Sequence, residues 1–197
     1  MPSLEASRMA DTMRADGRRN YDRLLDEARA AFAEHGTDVS LRDVARRAGV
    51  GIGTLYRHFP TREALIEAAM RHGLDALCAR ADELIDTEPA GEALTAWLLA
   101  FATGSTRYQG LPASILDALG DETSELYRSC HAMRAAAARL LHRAQQTGQV
   151  RGDLAVDDLL ALVVGVAWAG QHARDGAALT GRLLGLIRTG IETPGGQ

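Results

Sequence analysis

Lysine is absent from this 197-residue chain, so all 22 of its basic residues are arginines. Arginine suits a phosphate group well, because its planar guanidinium donates two parallel hydrogen bonds. Aromatic residues make up only 5% of the chain, alanine and leucine abound, and no alternating strand pattern of useful length occurs. These features favour helices and argue against a β-sandwich.

Cysteines and long apolar runs are also scarce. Cys78 and Cys130 are far apart and lack metal-ligand spacing, which predicts two thiols in a cytoplasmic protein without a metal site or a cofactor. The N-terminus lacks the apolar run of a signal peptide. The longest apolar stretch, residues 159–170, falls short of the roughly 18 residues that span a bilayer. The sequence therefore predicts a cytoplasmic protein with no membrane partner.

The spacing of apolar residues and of helix-breaking glycines and prolines predicts an all-α fold of about nine helices. Residues 1–17 are polar and end in glycine, which predicts a flexible arm that either contacts DNA through its arginines or is a solvated tail. A first helix is predicted from Arg19 to His35, and a long fourth helix, capped by Thr61, to about Asp86. Later helices are predicted at about 91–106, 112–120, 123–147, 155–174 and 177–192.

The segment between the first and fourth helices predicts a helix-turn-helix. Ser40 and Asp43 have the spacing of a capping box, and apolar residues then recur on one helical face up to Ala48. Gly49 follows, where a helix end usually needs a left-handed residue. A second, short helix fits between Gly51 and Pro60. Residues 40–72 carry six arginines and three acidic residues, a modest positive charge that dimerisation would double.

The run A-G-V-G-I-G-T-L-Y-R-H-F, residues 48–59, closely resembles the motif of the TetR family of transcriptional regulators. The resemblance extends back through residues 18–36 and forward through residues 60–65, and it covers about the first 75 residues. It implies an N-terminal three-helix helix-turn-helix DNA-binding domain, which we call the headpiece, at residues 18–77. It also implies a C-terminal helical bundle for ligand binding and dimerisation at residues 78–197. The bundle matches the family only in its general helical character.

The predicted DNA-binding residues combine two lines of argument. Helical periodicity places Leu55, Phe59 and Ile52 on the inner face of the second short helix, whereas the resemblance places Ile52 and Gly53 near the bases. Two family positions show departures, since Arg62 stands where a lysine is usual and Gly51 where a small hydroxyl residue is common. The resemblance and the periodicity together give Ser40, Arg42, Gly51, Ile52, Gly53, Thr54, Tyr56, Arg57, His58 and Arg62.

The resemblance also implies a small-molecule pocket among the middle helices of the bundle. The two histidines of the candidate set would supply polar groups in a mostly apolar site. Ordinary core packing is the alternative for each residue. The candidates are Trp97, Phe101, Tyr108, Leu116, Tyr127, Cys130, His131, Met133, Trp168 and His172.

The last two predicted helices indicate a two-fold dimer interface. Residues 159–166 are apolar around nearly the whole helix, and such a helix must be covered on every side. The alternative is that both helices are buried within one monomer. The predicted interface residues are Leu160, Val163, Val164, Leu183, Leu186, Ile187 and Ile191.

We therefore expect a homodimeric, ligand-responsive repressor that binds a near-palindromic double-stranded operator, with recognition helices about 34–36 Å apart. No catalytic residues are predicted, because Ser129, Cys130 and His131 are consecutive on a helix and point apart. The alternatives are an activator or a ligand-independent DNA binder with the same headpiece, and a helical-bundle enzyme that only mimics the motif.

Overall fold

The computed structural model of the chain describes residues 4–105, 107–108 and 111–191, with side chains described at 17–105, 107–108, 111–187 and 190. Within these residues there are nine helices and no strand, which confirms the predicted all-α fold. Each of these helices is too short or too polar to cross a bilayer. The helices are α1 (Leu4–His35), α2 (Leu41–Arg47), α3 (Ile52–His58), α4 (Arg62–Thr87), α5 (Ala90–Ser105), α6 (Ala113–Gly120), α7 (Glu125–Gln146), α8 (Val156–Gln171) and α9 (Gly176–Ile191).

The first helix begins earlier than the sequence predicts. α1 starts at Leu4 and continues through Gly17, whereas we expected a flexible arm over residues 1–17. Half of the residues from Leu4 to Gly17 are alanine, methionine or arginine, which are good helix formers. A single glycine in a helix costs about 1 kcal/mol relative to alanine and does not by itself end the helix.

The chain folds into two compact units. The first comprises Met1–His72 and Tyr108–Leu116, and the second comprises Gly73–Arg107 and Asp117–Gln197. The division falls within α4 and again within α6. From the sequence we predicted the domain boundary after residue 77. We did not predict that the segment around Tyr108 belongs with the headpiece.

The core of the first unit is built on the predicted apolar stripe of α1. Leu24, Leu25, Ala28 and Phe32 are all buried. The ring of Phe32 lies 6.2 Å from the ring of Tyr108, centroid to centroid. α2 packs on α1, and α3 packs on α2.

The start of α4 is held by a cap and by a long-range hydrogen-bonded contact. Thr61 Oγ1 accepts a hydrogen bond of 3.1 Å from the backbone N–H of Ala64, which confirms the predicted cap. Arg62 Nη1 donates to the carbonyl oxygens of Thr37 at 2.8 Å and Val39 at 2.6 Å. The guanidinium therefore ties the first turn of α4 to the connection between α1 and α2.

In the second unit, α5, α7 and α8 supply most of a separate core. Trp97 is fully buried, and its Nε1–H donates to the carbonyl oxygen of Leu77 at 2.8 Å. Phe101 stacks on Trp97 with ring centroids 5.5 Å apart. From α8, Leu159 and Val163 complete the cluster.

The turn between α2 and α3 depends on a left-handed residue. Gly49 has a φ of +68°, and its N–H donates to the carbonyl oxygen of Arg46 at 3.1 Å. The N–H of Val50 donates to the carbonyl oxygen of Ala45 at 3.0 Å. A Cβ at Gly49 would meet no atom within 4 Å, so the requirement for glycine lies in the backbone conformation and not in the space available.

Gly49→Ala should lower the free energy of unfolding by about 1–2 kcal/mol, the cost of holding a non-glycine residue in the left-handed region. Urea unfolding followed by circular dichroism measures the loss. Gly104→Ala is the matched control, because Gly104 lies in α5 with a negative φ and its Cβ would also meet open space. An equal loss in both variants would contradict the account of the turn.

Candidate nucleic-acid interface

The inner face of α3 is buried in the first unit. Leu55 is fully buried and Phe59, which caps the helix at its C-terminal end, is almost so. The ring of Tyr21 from α1 lies 5.1 Å from that of Phe59 and 5.7 Å from that of His58. α3 is therefore fixed on α1 and α2 by this face, and its rotation about its own axis is set.

The outer face of α3 carries the predicted base-contacting positions. Tyr56 is 49% exposed, and Gly53 and Arg57 are exposed. Ile52 and Thr54 are half-buried. Ile52 thus lies between the inward position given by periodicity and the outward one given by the resemblance.

Two exposed glycines leave the start of α3 open. Gly51 precedes the helix with an extended backbone, and Gly53 lies in its first turn. A Cβ at either would meet nothing within 4 Å. The backbone at Gly51 and Gly53 is therefore exposed, whereas the N–H of Thr54 already donates to the carbonyl oxygen of Gly51 at 2.9 Å.

The predicted capping box at the start of α2 is wrong. Ser40 occupies the N-cap position but makes no side-chain capping hydrogen bond. Asp43 instead forms an ion pair with Arg46 at 3.0 Å, one turn along the helix. Its carboxylate is thereby turned toward a neighbouring cation and away from the N-cap. Ser40 is exposed at the start of α2, where its hydroxyl is available to a DNA backbone.

The arginines of α2 and α3 fall into two groups. Arg46 and Arg47 are paired with acidic residues, and the hydrogen bond from Arg47 lowers the pKa of the Glu34 carboxyl. Arg42 and Arg57 are exposed and make no ion pair within the part of the chain that the structure describes. The second group therefore supplies the cations that a phosphate can bind without first breaking an ion pair.

Two predicted phosphate contacts have roles within the fold. Arg62 binds the carbonyl oxygens of Thr37 and Val39, as described above, through one of its two terminal nitrogens. His58 is half-buried at the end of α3, with its ring edge-on to that of Tyr21. Sequence reasoning missed both contacts, because each joins residues that are far apart in the chain.

The ten predicted pocket residues are scattered. Trp97, Phe101 and Met133 belong to the core of the second unit, and Tyr108 belongs to the first unit. Leu116 is 55% exposed. The remaining five lie on α7 and at the end of α8, where two aromatic–histidine pairs form along single helices; these five are Tyr127, Cys130, His131, Trp168 and His172.

A cavity in the second unit lies elsewhere. The α5–α9 groove, as we call it, has a volume of about 680 Å³. It is lined by α5 between Gly91 and Leu99, by Gln149 and Val150, and by α9 between Gly181 and Ile187. None of the ten predicted pocket residues lines it. Among the predicted interface residues, Ile187 does.

The predicted interface residues divide between core and surface. Val163 is fully buried within the second unit, so no partner subunit can reach it, and its assignment to the interface is corrected. Val164 and Leu186 are exposed, and Leu160 and Leu183 are half-buried. The side chain of Ile191 lies outside the described set.

An exposed residue on α8 joins this surface. Trp168 is 63% exposed and lies one turn beyond Val164, while Leu186 on α9 is 67% exposed. We call Val164, Trp168 and Leu186 the α8–α9 outer face. Sequence reasoning assigned Trp168 to the pocket. The four-residue spacing from Val164 is the signal that places it on the outer face.

Both parts of the chain match known families of regulators. Residues 24–69 match the family described as bacterial regulatory proteins, tetR family. Residues 89–193, more than half of the chain, match the family described as transcriptional regulator SbtR-like, C-terminal domain. The first match includes the whole of α2 and α3.

The chain is also similar to individual regulators. It is 38% identical to the TetR transcriptional regulator SCO0520 from Streptomyces coelicolor, with a TM-score of 0.75, covering 89% of this chain and 99% of that one. Over 105 residues it is 36% identical to the HTH-type transcriptional repressor KstR2 of Rhodococcus jostii, covering 53% of this chain and 48% of the repressor. The chain thus spans a third to a half of the length of the curated KstR2 repressors that it matches.

A third likeness concerns the fold alone. The TetR-like regulator LfrR from Mycobacterium smegmatis, solved in complex with proflavine, is 24% identical with a TM-score of 0.63, and the likeness covers 90% of this chain and 98% of that one.

The family matches, the similarity to SCO0520 and the geometry of α2 and α3 lead to one conclusion. The chain belongs to the TetR family of bacterial transcriptional regulators.

Proposed function

We propose that the protein is a homodimeric repressor that binds a near-palindromic DNA operator through α3 and releases it when a small molecule binds the second unit. The observation that carries the DNA-binding part is the two-sided character of α3. Its inner face is anchored by Leu55 and Phe59, while Gly53, Tyr56 and Arg57 are exposed on the other side. The similarity to KstR2, a repressor, supports the direction of regulation.

The contacts with DNA divide into two kinds. Ser40, Arg42, Tyr56 and Arg57 are exposed around the ends of α2 and α3, which suits them to phosphates. The first turn of α3 carries the residues that approach base edges, with an apolar side chain for a thymine methyl and a bare backbone for close approach. These residues are Ile52, Gly53 and Thr54.

Both the charge of the chain and its exposed apolar residues support dimerisation. The chain as a whole has a net charge of −4, so a single headpiece binds DNA weakly and two are needed for a stable complex. The α8–α9 outer face exposes Trp168 and Leu186 to water, which a partner subunit would relieve. The same face on both subunits would generate a two-fold axis that matches a palindromic site.

The ligand-responsive part is supported by the groove in the second unit and by LfrR, a protein of the same fold that binds proflavine. If a ligand weakens operator binding by some factor, operator DNA must weaken ligand binding by the same factor. Measuring both affinities therefore tests whether the two sites are coupled.

The first experiment selects duplexes from a random library with the purified full-length protein and then measures the affinity of the enriched sequence across a salt series. We expect a near-palindrome, two subunits per site and an affinity that falls steeply with salt. Enrichment of no sequence, together with equal affinity for scrambled duplex, would contradict the proposal.

Arg57→Ala and Arg62→Ala should separate a residue that binds phosphate from one that holds the fold. Arg57→Ala should reduce the slope of log K against log salt by about 0.9 for each phosphate that the protein no longer neutralises, with the unfolding midpoint unchanged. Arg62→Ala should instead lower the stability of the first unit by about 1–3 kcal/mol, because two carbonyl groups lose their donor.

Anisotropy titrations across a salt series and thermal unfolding of both variants give the two readouts. If Arg62→Ala changed the salt slope but left stability unchanged, Arg62 would bind a phosphate and would not hold the fold. That is the role that the resemblance implies for Arg62.

Gly53→Ala should have opposite effects on folding and on DNA binding. In the free protein the added methyl group meets no atom within 4 Å, and alanine favours a helix interior by about 1 kcal/mol over glycine. Thermal unfolding should therefore shift upward. Operator affinity should fall about tenfold or more, because the methyl group stands where the backbone approaches the bases. Unchanged operator affinity would show that the start of α3 stays clear of the DNA.

Trp168→Glu should convert the dimer to monomers at micromolar concentration. Association would bury the new carboxylate in the interface without a cation to pair with it, which is energetically costly. Sedimentation velocity measures the outcome. Leu116→Glu is the matched control, since Leu116 is likewise an exposed large apolar residue but belongs to the first unit. A dimer that survives Trp168→Glu with unchanged affinity would place the interface on another surface.

A further inference from the structure

The α5–α9 groove has the size and lining of a ligand site. Its volume of about 680 Å³ lies within the range of roughly 300–1,000 Å³ that is typical of small-molecule pockets. Leu94 and Leu98 from α5 and Leu184 from α9 form apolar walls. Every lining residue belongs to the second unit.

The depth of the groove comes from two glycines on α9. Gly181 and Gly185 are one helical turn apart and both line the groove. A Cβ placed at either position would meet no atom within 4 Å. The wall is therefore open where two side chains are missing, and a Cβ added there would extend into unoccupied space.

One end of the groove offers fixed hydrogen-bonding groups. Gln149 Oε1 accepts from the N–H of Gly91 at 2.8 Å, which orients the side-chain amide. The amide nitrogen can then donate to a ligand. Thr95 Oγ1 donates to the carbonyl oxygen of Gly91 at 2.8 Å, which fixes the hydroxyl and leaves its oxygen as an acceptor.

The charge of the groove selects against anions. Glu92 is exposed at this end, and among the described lining residues there is no arginine and no histidine. A carboxylate or phosphate in the groove would therefore face Glu92 without a cation to offset the repulsion. A neutral or positively charged group meets no such penalty.

The groove is distinct from the α8–α9 outer face, although Ile187, a predicted interface residue, lines it. Leu184 and Gly185 line the groove, whereas Leu186 is 67% exposed on the other side of α9. Successive residues of a helix are about 100° apart, so these positions belong to different faces. A second subunit can therefore cover the outer face while the groove remains open to a small molecule.

We propose that the α5–α9 groove binds an elongated, mostly apolar small molecule that carries a hydrogen-bonding head group at one end and is neutral or positively charged. Fatty acids and acyl-coenzyme A thioesters are disfavoured by their negative charge. The binding claim stands on the groove itself, and only its effect on DNA rests on the proposed function.

The test uses three probes with the same ten-carbon chain and different head groups, namely 1-decanol, decylammonium and decanoate. Isothermal titration calorimetry with the full-length protein, below the micellar range, gives each affinity. We expect decanol and decylammonium to bind more tightly than decanoate. Because Glu92 is exposed, solvent weakens its effect, and we expect the protein to bind decylammonium only about two- to fivefold more tightly than decanoate. Glu92→Gln should remove it.

Gly181→Leu and Gly185→Leu should weaken decanol binding about tenfold or more, because the new side chain fills the recess. Both substitutions suit a helix, so folding should be retained. Gly104→Leu is the matched control, since Gly104 lies on α5 outside the groove and its Cβ would also meet open space. It should leave decanol affinity unchanged.

The outcomes separate the groove from its proposed role in regulation. Decanol binding that is lost in Gly181→Leu and kept in Gly104→Leu supports the groove, even if decanol leaves operator affinity unchanged. In that case only the ligand-responsive part of the proposed function fails. The groove assignment is overturned if Gly181→Leu binds decanol as the unaltered protein does, if decanoate binds most tightly, or if none of the probes binds.

Discussion

The helix that the protein would present to DNA is too short to be stable by itself. α3 has seven residues, and an isolated helix of that length does not persist in water. It persists here because Leu55 and Phe59 are buried on α1 and α2, where fully burying one such side chain contributes about 1.5–3 kcal/mol. The outer face is therefore not needed to hold the helix in place. Its residues can be substituted to suit a different operator without displacing the helix.

Local signals in the sequence predicted the headpiece well. The apolar spacing, the left-handed position of Gly49 and the cap at Thr61 each act within a few residues, and the structure has all three. The capping box at Ser40 failed because Asp43 has a competing cation, Arg46, one turn away. A capping motif and an i,i+3 ion pair use the same carboxylate, and the sequence pattern cannot decide between them.

Long-range hydrogen bonds and cavities were the parts that the sequence did not reveal. Arg62 donates a hydrogen bond to the carbonyl oxygen of Thr37, 25 residues away, and no local sequence pattern predicts such a pair. The predicted pocket rested on aromatic and histidine residues, yet Trp97 and Phe101 fill the core of the second unit. The α5–α9 groove is lined in part by Gly181 and Gly185, and a missing side chain gives no positive signal in a sequence.

Helix α9 presents one face to the groove and another, through Leu186, to the surroundings. If a ligand and the partner subunit each favour a different position of this helix, the two equilibria are thermodynamically linked. In the proposed dimer, any ligand that prefers one position of α9 would bind monomer and dimer with different affinities. Its measured dissociation constant would then drift with protein concentration, and the cellular amount of the regulator would itself tune how much ligand is needed for a response.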